Sequence, residues 1–239
     1  MKRFYGTATA EPGEDGWRVM LDGHPLRTPA RGVLVLPSEA LARAVAAEWQ
    51  AQGEQIDTQG MRLTRLATTV VDLMPARRGD AIEEATGYAA TDLLCYRAAS
   101  PASLAARQAA AWQPWLDWAE RRFDARLAVA SGVMPATQEE VALHSLRAAV
   151  DRLDDWRLVG LHAATTATGS LVLGLAMEAG DLDAEAAFAA SVLDETFEIE
   201  QWGEDPEQAA RRDRLRADLA AAQAFLTLLG QAAGDTSSA

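Results

Sequence analysis

The chain reads as an α+β protein, with a small antiparallel β-rich N-terminal domain followed by a larger, mostly α-helical C-terminal domain. Three observations predict this. Residues 3–36 alternate in short runs separated by turn residues. From Pro37 the apolar period becomes helical and stays so. A 49% hydrophobic content in 239 residues suffices for one large core or two small ones. The changes in texture place domains at 1–75 and 76–230, with a loose tail at 231–239.

In order, "RFYGTATA", "WRVMLD", "PLRT" and "GVLVL" have strand patterning, with turns at "EPGEDG" and Asp22-Gly23. Ser38 is placed to cap a helix in which Leu41, Val45 and Trp49 recur at i, i+4 and i+8. "MRLTRLATTVVDL" and "AIEEATGYAATDLL" predict two further helices, with a short strand at "LLCYR". The helical run "ASLAARQAAAWQPWLDWAERRF" contains Pro114, which should kink or divide it. Thr137, with Glu140 three residues on, has the spacing of a capping box for "QEEVALHSLRAAVDRL". "WRLVGLHAATTATGSLVLGLAM" predicts one small-residue-rich helix, and two more follow near 183–201 and 206–229.

Composition and motifs exclude several classes. No apolar run approaches the roughly 20 residues that cross a bilayer, and the start of the chain lacks a signal-peptide core, so a soluble, unexported protein is expected. Cys95 is the only cysteine and is expected to be a small buried hydrophobe. His24, His144 and His162 are scattered, without H-E-x-x-H or EF-hand spacing, and no phosphate-binding glycine loop or G-x-S-x-G elbow occurs. Neither a metal nor another cofactor is expected, and no catalytic signature is present. Trp112, Trp115 and Trp118 read first as core and second as interface anchors. Lys2 is the only lysine, a bias that fits a GC-rich bacterial genome.

The net charge of −13 is concentrated in the second half of the chain, and Glu178 to Glu207 holds eleven acids without one Lys or Arg. Such a field repels nucleic acid and anionic membranes and attracts basic surfaces. Its densest part is "LDETFEIEQWGEDPEQ", residues 193–208. There Asp205, Pro206 and Gln208 have the spacing of a helix start, and Glu207 suits a first helical turn. On a helical wheel Asp194, Glu195 and Glu198 share one polar face, whereas Glu200 falls inside the apolar arc of Val192, Leu193, Phe197 and Ile199. An acid there is paired internally, shifted toward its neutral form, or facing something other than the core. Glu204 follows Gly203 and no helical rule demands it. An enzyme using these carboxylates on a sugar or cationic substrate is the competing class, but an acid pair in sequence is a weak signal.

"KRFY", "VMLDGHPLRTP", "LVLPSEALARAVAAEWQAQGEQID", "MRLTRLATT", "TDLLCYRA", the region of Gln108, Trp112 and Trp118, "GSLVLGLA" and above all "LDETFEIEQWGEDPEQAARR" together resemble the ATP synthase assembly chaperones, the "ATP twelve" factors that handle the alpha subunit of the F1 sector. The similarity runs in order through residues 2–229, with Arg62 in place of Pro and Glu198 in place of Gln. The resemblance implies a non-enzymatic, ATP-independent factor that binds unassembled alpha subunit and shields its subunit interface until a beta subunit joins. It implies an acidic partner-binding segment, carried onto Glu200 and Glu204 with Trp202, Gly203 and Glu195. It also implies a monomer in the bacterial cytoplasm, with eukaryotic relatives in the mitochondrial matrix.

Overall fold

A computed structural model describes residues 1–132 and 136–230. The expected loose tail, 231–239, lies outside the described residues. The fold class is as the sequence predicts: N-terminal antiparallel strands, then helices. The chain divides into two compact units. Among the described residues, one comprises Met1–Arg78, Asp155–Gly160 and 224–230; the other comprises Gly79–Asp154 and Leu161–Gln223.

In the first unit, β1 (Ala8–Gly13) and β2 (Gly16–Leu21) form an antiparallel hairpin, and β2 also pairs with β3 (His24–Pro25) and β4 (Val35–Leu36). Asp22 and Gly23 turn the chain from β2 to β3 with φ of 46° and 77°, the two positive values that a type I′ hairpin turn requires. The Asp22 carboxylate accepts from the Gly6 and Thr7 backbone N–H groups and the Thr7 hydroxyl, which holds its pKa below the ordinary value. Helix α1 (Glu39–Gln50) is capped by Ser38, whose Oγ accepts from Leu41 N. It buries Leu41, Val45 and Trp49 as the period predicts, and packs on β1 and β2. Trp156 stacks on Phe225 with centroids 6.1 Å apart. Gly160 is needed beside them, because a methyl there would overlap Leu226.

The two helices expected between 61 and 94 are one, α2 (Arg62–Gly87), which runs through Pro75. Pro75 is exposed while Ala67, Val70, Met74, Ala81 and Ala85 keep one buried stripe. A proline on the solvent side lets water satisfy the carbonyl it frees. The same reason keeps α3 (Ala102–Phe123) whole: Pro114 is exposed, and Gln108, Trp112, Leu116 and Ala119 form the buried stripe.

In the second unit, α3 packs against α4 (Glu140–Asp151), α6 (Leu171–Glu178) and α8 (Leu193–Trp202). A 3-10 turn at Leu93–Cys95 precedes β5 (Tyr96–Arg97), which pairs in parallel with β6 (Ala130–Ser131), a strand without a sequence signal. The capping box expected at Thr137 does not form: α4 begins at Glu140 behind Glu139, which makes no side-chain cap. Gln138 is instead turned inward and clasps Ala128 through both its N–H and its C=O. The long helix expected over 156–177 is broken into α5 (Asp155–Thr168) and α6. Gly169 at φ 70° ends the first, and Ser170 caps the second by accepting from Leu173 N. The helix expected near 183–201 also divides, into α7 (Ala184–Ser191) and α8, at the buried Val192. The last helix, α9 (Pro206–Leu228), lies where expected, with Asp205 accepting from the N–H groups of Glu207 and Gln208.

Candidate functional site

The break at Val192 changes what the acidic segment presents. With α7 and α8 out of phase, α8 has no fully buried residue, and its free end carries Trp202, which is 84% exposed. Gly203 closes that helix at φ 84°, a conformation that suits glycine, and its N–H donates to Ile199 O. The chain then turns straight into α9, which brings arginines to the acids. Those arginines are absent from the segment itself.

Glu200 is exposed and pairs with Arg107 of α3, Nη1 to Oε2, at 2.6 Å. The Arg107 guanidinium also lies 5.2 Å from the Phe197 ring centroid. Glu204 pairs with Arg212 of α9 at 3.2 Å. Arg212 stands between Glu204 and Glu195, which it approaches at 3.7 Å, and over Phe188 at 5.3 Å. Glu195 is paired with Arg211 as well. Burial raises the Glu195 pKa, but hydrogen bonds from Arg211 and Gln208 and the charges of Arg211 and Arg212 outweigh it and hold the carboxyl below its ordinary range. Arg216 binds Glu185 at 3.1 Å and covers the Phe188 ring at 4.1 Å.

Two readings of the segment need correction. The polar face expected of Asp194, Glu195 and Glu198 is solvated only in part: Asp194 and Glu198 are exposed, with Asp194 accepting from Gln108 Nε2 at 2.7 Å, but the Glu195 side chain is only 16% exposed. The acid field is also smaller than the sequence suggests, because Glu185, Glu195, Glu200 and Glu204 all face arginines from α3 or α9. Glu200 and Glu204 each have their own guanidinium, an arrangement of ion pairs rather than of two carboxyls sharing a proton. Among the described residues, no three His, Cys, Asp or Glu side chains gather to hold a metal ion, and no helix is long and apolar enough to cross a membrane.

Beneath this surface lies a fully buried acid the sequence reading passed over. Asp92 accepts from the backbone N–H groups of Leu94 and Val172, at 3.0 and 3.1 Å, and is also hydrogen-bonded by Ser170 and Leu171. It thereby joins the 3-10 turn to the N-terminus of α6, where a carboxylate is favoured by unpaired N–H groups. Burial nevertheless pushes its pKa up to about 6. Cys95 is buried beside it, and burial, with the Asp92 charge, raises the thiol pKa to about 12. Of the tryptophans, Trp112 is core, donating to Ala190 O with the Arg97 guanidinium 5.0 Å from its ring centroid; Trp115 and Trp118 are half-buried, and Trp118 donates to Asp181.

A sequence model of the ATP12 chaperone protein family matches residues 2–120. The solved structure of Atp12 from Paracoccus denitrificans is 41% identical, superposes with a TM-score of 0.89, and is matched over 95% of this chain and 98% of its own. An aspartate-to-lysine variant of the Paracoccus protein matches at the same identity and TM-score, with 97% of its own chain covered. This chain belongs to the ATP12 chaperone family. The Atu1473 protein of Agrobacterium tumefaciens is 39% identical with a TM-score of 0.89, over 95% of this chain and 86% of that one. The match to the solved Atp12 extends well beyond residue 120, so the structural similarity includes the helical half that carries α8. Arg107, Arg211, Arg212 and Arg216, which the fold sets around the acids of the candidate site, are the neighbours that sequence reasoning missed. The pair Arg211-Arg212, directly after the acidic run and one helical repeat from it, was the available signal.

Proposed function

We propose that this chain is an assembly chaperone for the F1 sector of a bacterial ATP synthase, that it binds unassembled alpha subunit, and that it shields the surface a beta subunit later covers. It acts as a monomer in the cytoplasm, without nucleotide or metal, and performs no catalysis. The docking surface is the end of α8, with Trp202 and Gly203 at its tip and Glu200, Glu204 and Glu195 behind it.

Membership of the ATP12 chaperone family supports the general role. The observation that carries the choice of surface is the 84% exposure of Trp202. An indole left in water exposes a large apolar area for no folding benefit, and tryptophan is among the residues most often dominant in binding interfaces. The acids around it supply polar edges suited to a basic client.

The test is suppression of alpha-subunit aggregation, followed by light scattering, with wild type and Trp202→Ala compared at matched thermal stability. Wild type should protect equally with EDTA and without ATP, and Trp202→Ala should bind the alpha subunit about tenfold or more weakly. Protection that requires ATP or a divalent ion, or wild type that fails to bind alpha subunit, would overturn the assignment.

A further inference from the structure

The end of α8 already holds a guanidinium. Arg107 meets two groups of that helix at once, the Glu200 carboxylate at 2.6 Å and the Phe197 ring at 5.2 Å. A carboxylate beside an aromatic face suits a planar, delocalised cation better than an ammonium. The molecule builds a comparable receptor on the other side of α8: Arg212 is held by Glu195 and Glu204 and lies over Phe188. The two differ in access. The Arg212 side chain is 15% exposed, whereas Arg107 and Glu200 are 50% and 49% exposed. The enclosed receptor fixes α8 to α9. The open one lies two residues from Trp202 and is held by a solvent-screened pair of little net strength.

We infer that Arg107 is an internal stand-in for an arginine of the client: on docking, a client guanidinium takes the Glu200 carboxylate and the Phe197 face, and Arg107 is displaced into solvent. This rests on the proposed docking of the alpha subunit at the end of α8, and it commits to an arginine-bearing, partly apolar client surface that complements Glu200 and Trp202. Arg107 is then a competitor in the free chaperone, which keeps the site from binding arginine-bearing proteins indiscriminately.

The experiment is a double-mutant cycle on Arg107 and Glu200, with purified alpha subunit as the probe and thermal unfolding measured on every variant. Arg107→Ala should bind about two- to fivefold more tightly than wild type, the scale of an exposed ion pair. Glu200→Gln should bind more weakly, and adding Arg107→Ala to it should then change nothing. Arg107→Lys, which keeps the charge and the fold but lacks the planar fork, should fall between wild type and Arg107→Ala. Arg107→Ala that binds no better than wild type, with Arg107→Lys likewise, would sink the exchange while leaving the docking surface standing, provided that Trp202→Ala still weakens binding. If Trp202→Ala and Glu200→Gln both bind normally, the docking surface itself is misplaced. Dimerisation of Arg107→Ala on gel filtration without client would put a second copy of this chain in the receptor and overturn the client assignment.

Discussion

Asp92 and Glu200 are both carboxylates of the same compact unit, yet their surroundings differ in kind. Asp92 is completely buried and converges with N–H donors from two elements. Glu200 lies on a helix with no buried residue, beside an exposed tryptophan, and has one exposed guanidinium for company. A buried carboxylate whose donors are fixed in the fold stabilises that fold and is inaccessible to a partner. An exposed one with a weakly held counterion adds little stability and remains exchangeable. Four perturbations sharpen this contrast, from the largest expected effect to the smallest.

Asp92→Ala should lower the stability of the protein by about 2–4 kcal/mol, because it strands several buried N–H groups at the start of α6. Urea unfolding checks this, and a loss below about 1 kcal/mol would mean that water replaces the carboxylate. Arg212→Ala should cost about 1–2 kcal/mol, since it leaves the enclosed Glu195 with Arg211 as its one remaining paired cation and removes the ion-pair partner of Glu204. Its effect on client binding should vanish at temperatures where the variant is fully folded.

The third perturbation is pH. Asp92 has a folded pKa of about 6, above the ordinary unfolded value, so its favourable contribution is fully present below about pH 3.9 and is lost as pH rises through 6. Lowering the pH from 7 to 5 should therefore stabilise wild type through this group by about 1 kcal/mol. Asp92→Asn should lack that increment, and identical pH profiles for the two would show that Asp92 stays ionised. Glu195 has the opposite sign: its depressed pKa gives stability that is lost only at lower pH, as the carboxyl protonates. Finally, Glu198→Ala should change stability by less than about 0.5 kcal/mol, as for an exposed residue without a structural role. A larger loss would show that the outer face of α8 is not simply solvated.

The break between α5 and α6 was partly legible, because Gly169-Ser170 has the form of a helix end followed by a cap. The break at Val192 was not, since no glycine or proline marks it. In α8 the apolar arc of Leu193, Phe197 and Ile199 is only half-buried, and Glu200 beside Phe197 is exposed. Gly174 is another position whose reason lies outside its own helix: a methyl there would overlap the Thr165 hydroxyl, so the close approach of α5 and α6 requires glycine. Likewise nothing local predicts that Gln138 turns inward to Ala128 rather than joining a capping box.

By itself the sequence determined what depends on short-range periodicity and on ordered motifs. That covers the α+β class, the hairpin at Asp22-Gly23, the Ser38 and Asp205 caps, the buried stripe of α1, and the family resemblance. Backbone conformational preference and apolar spacing act over a few residues, so they can be read from a few residues. Only the tertiary structure decided which acids are engaged and by what. Arg107 is 93 residues from Glu200 in the chain, Asp92 is 80 residues from Val172, and pairings over such separations depend on how helices pack rather than on any local signal. The exposure of Trp202 is of the same kind: a tryptophan at a helix end is core or surface according to what packs over it, and here the chain turns away at Gly203 and leaves it uncovered.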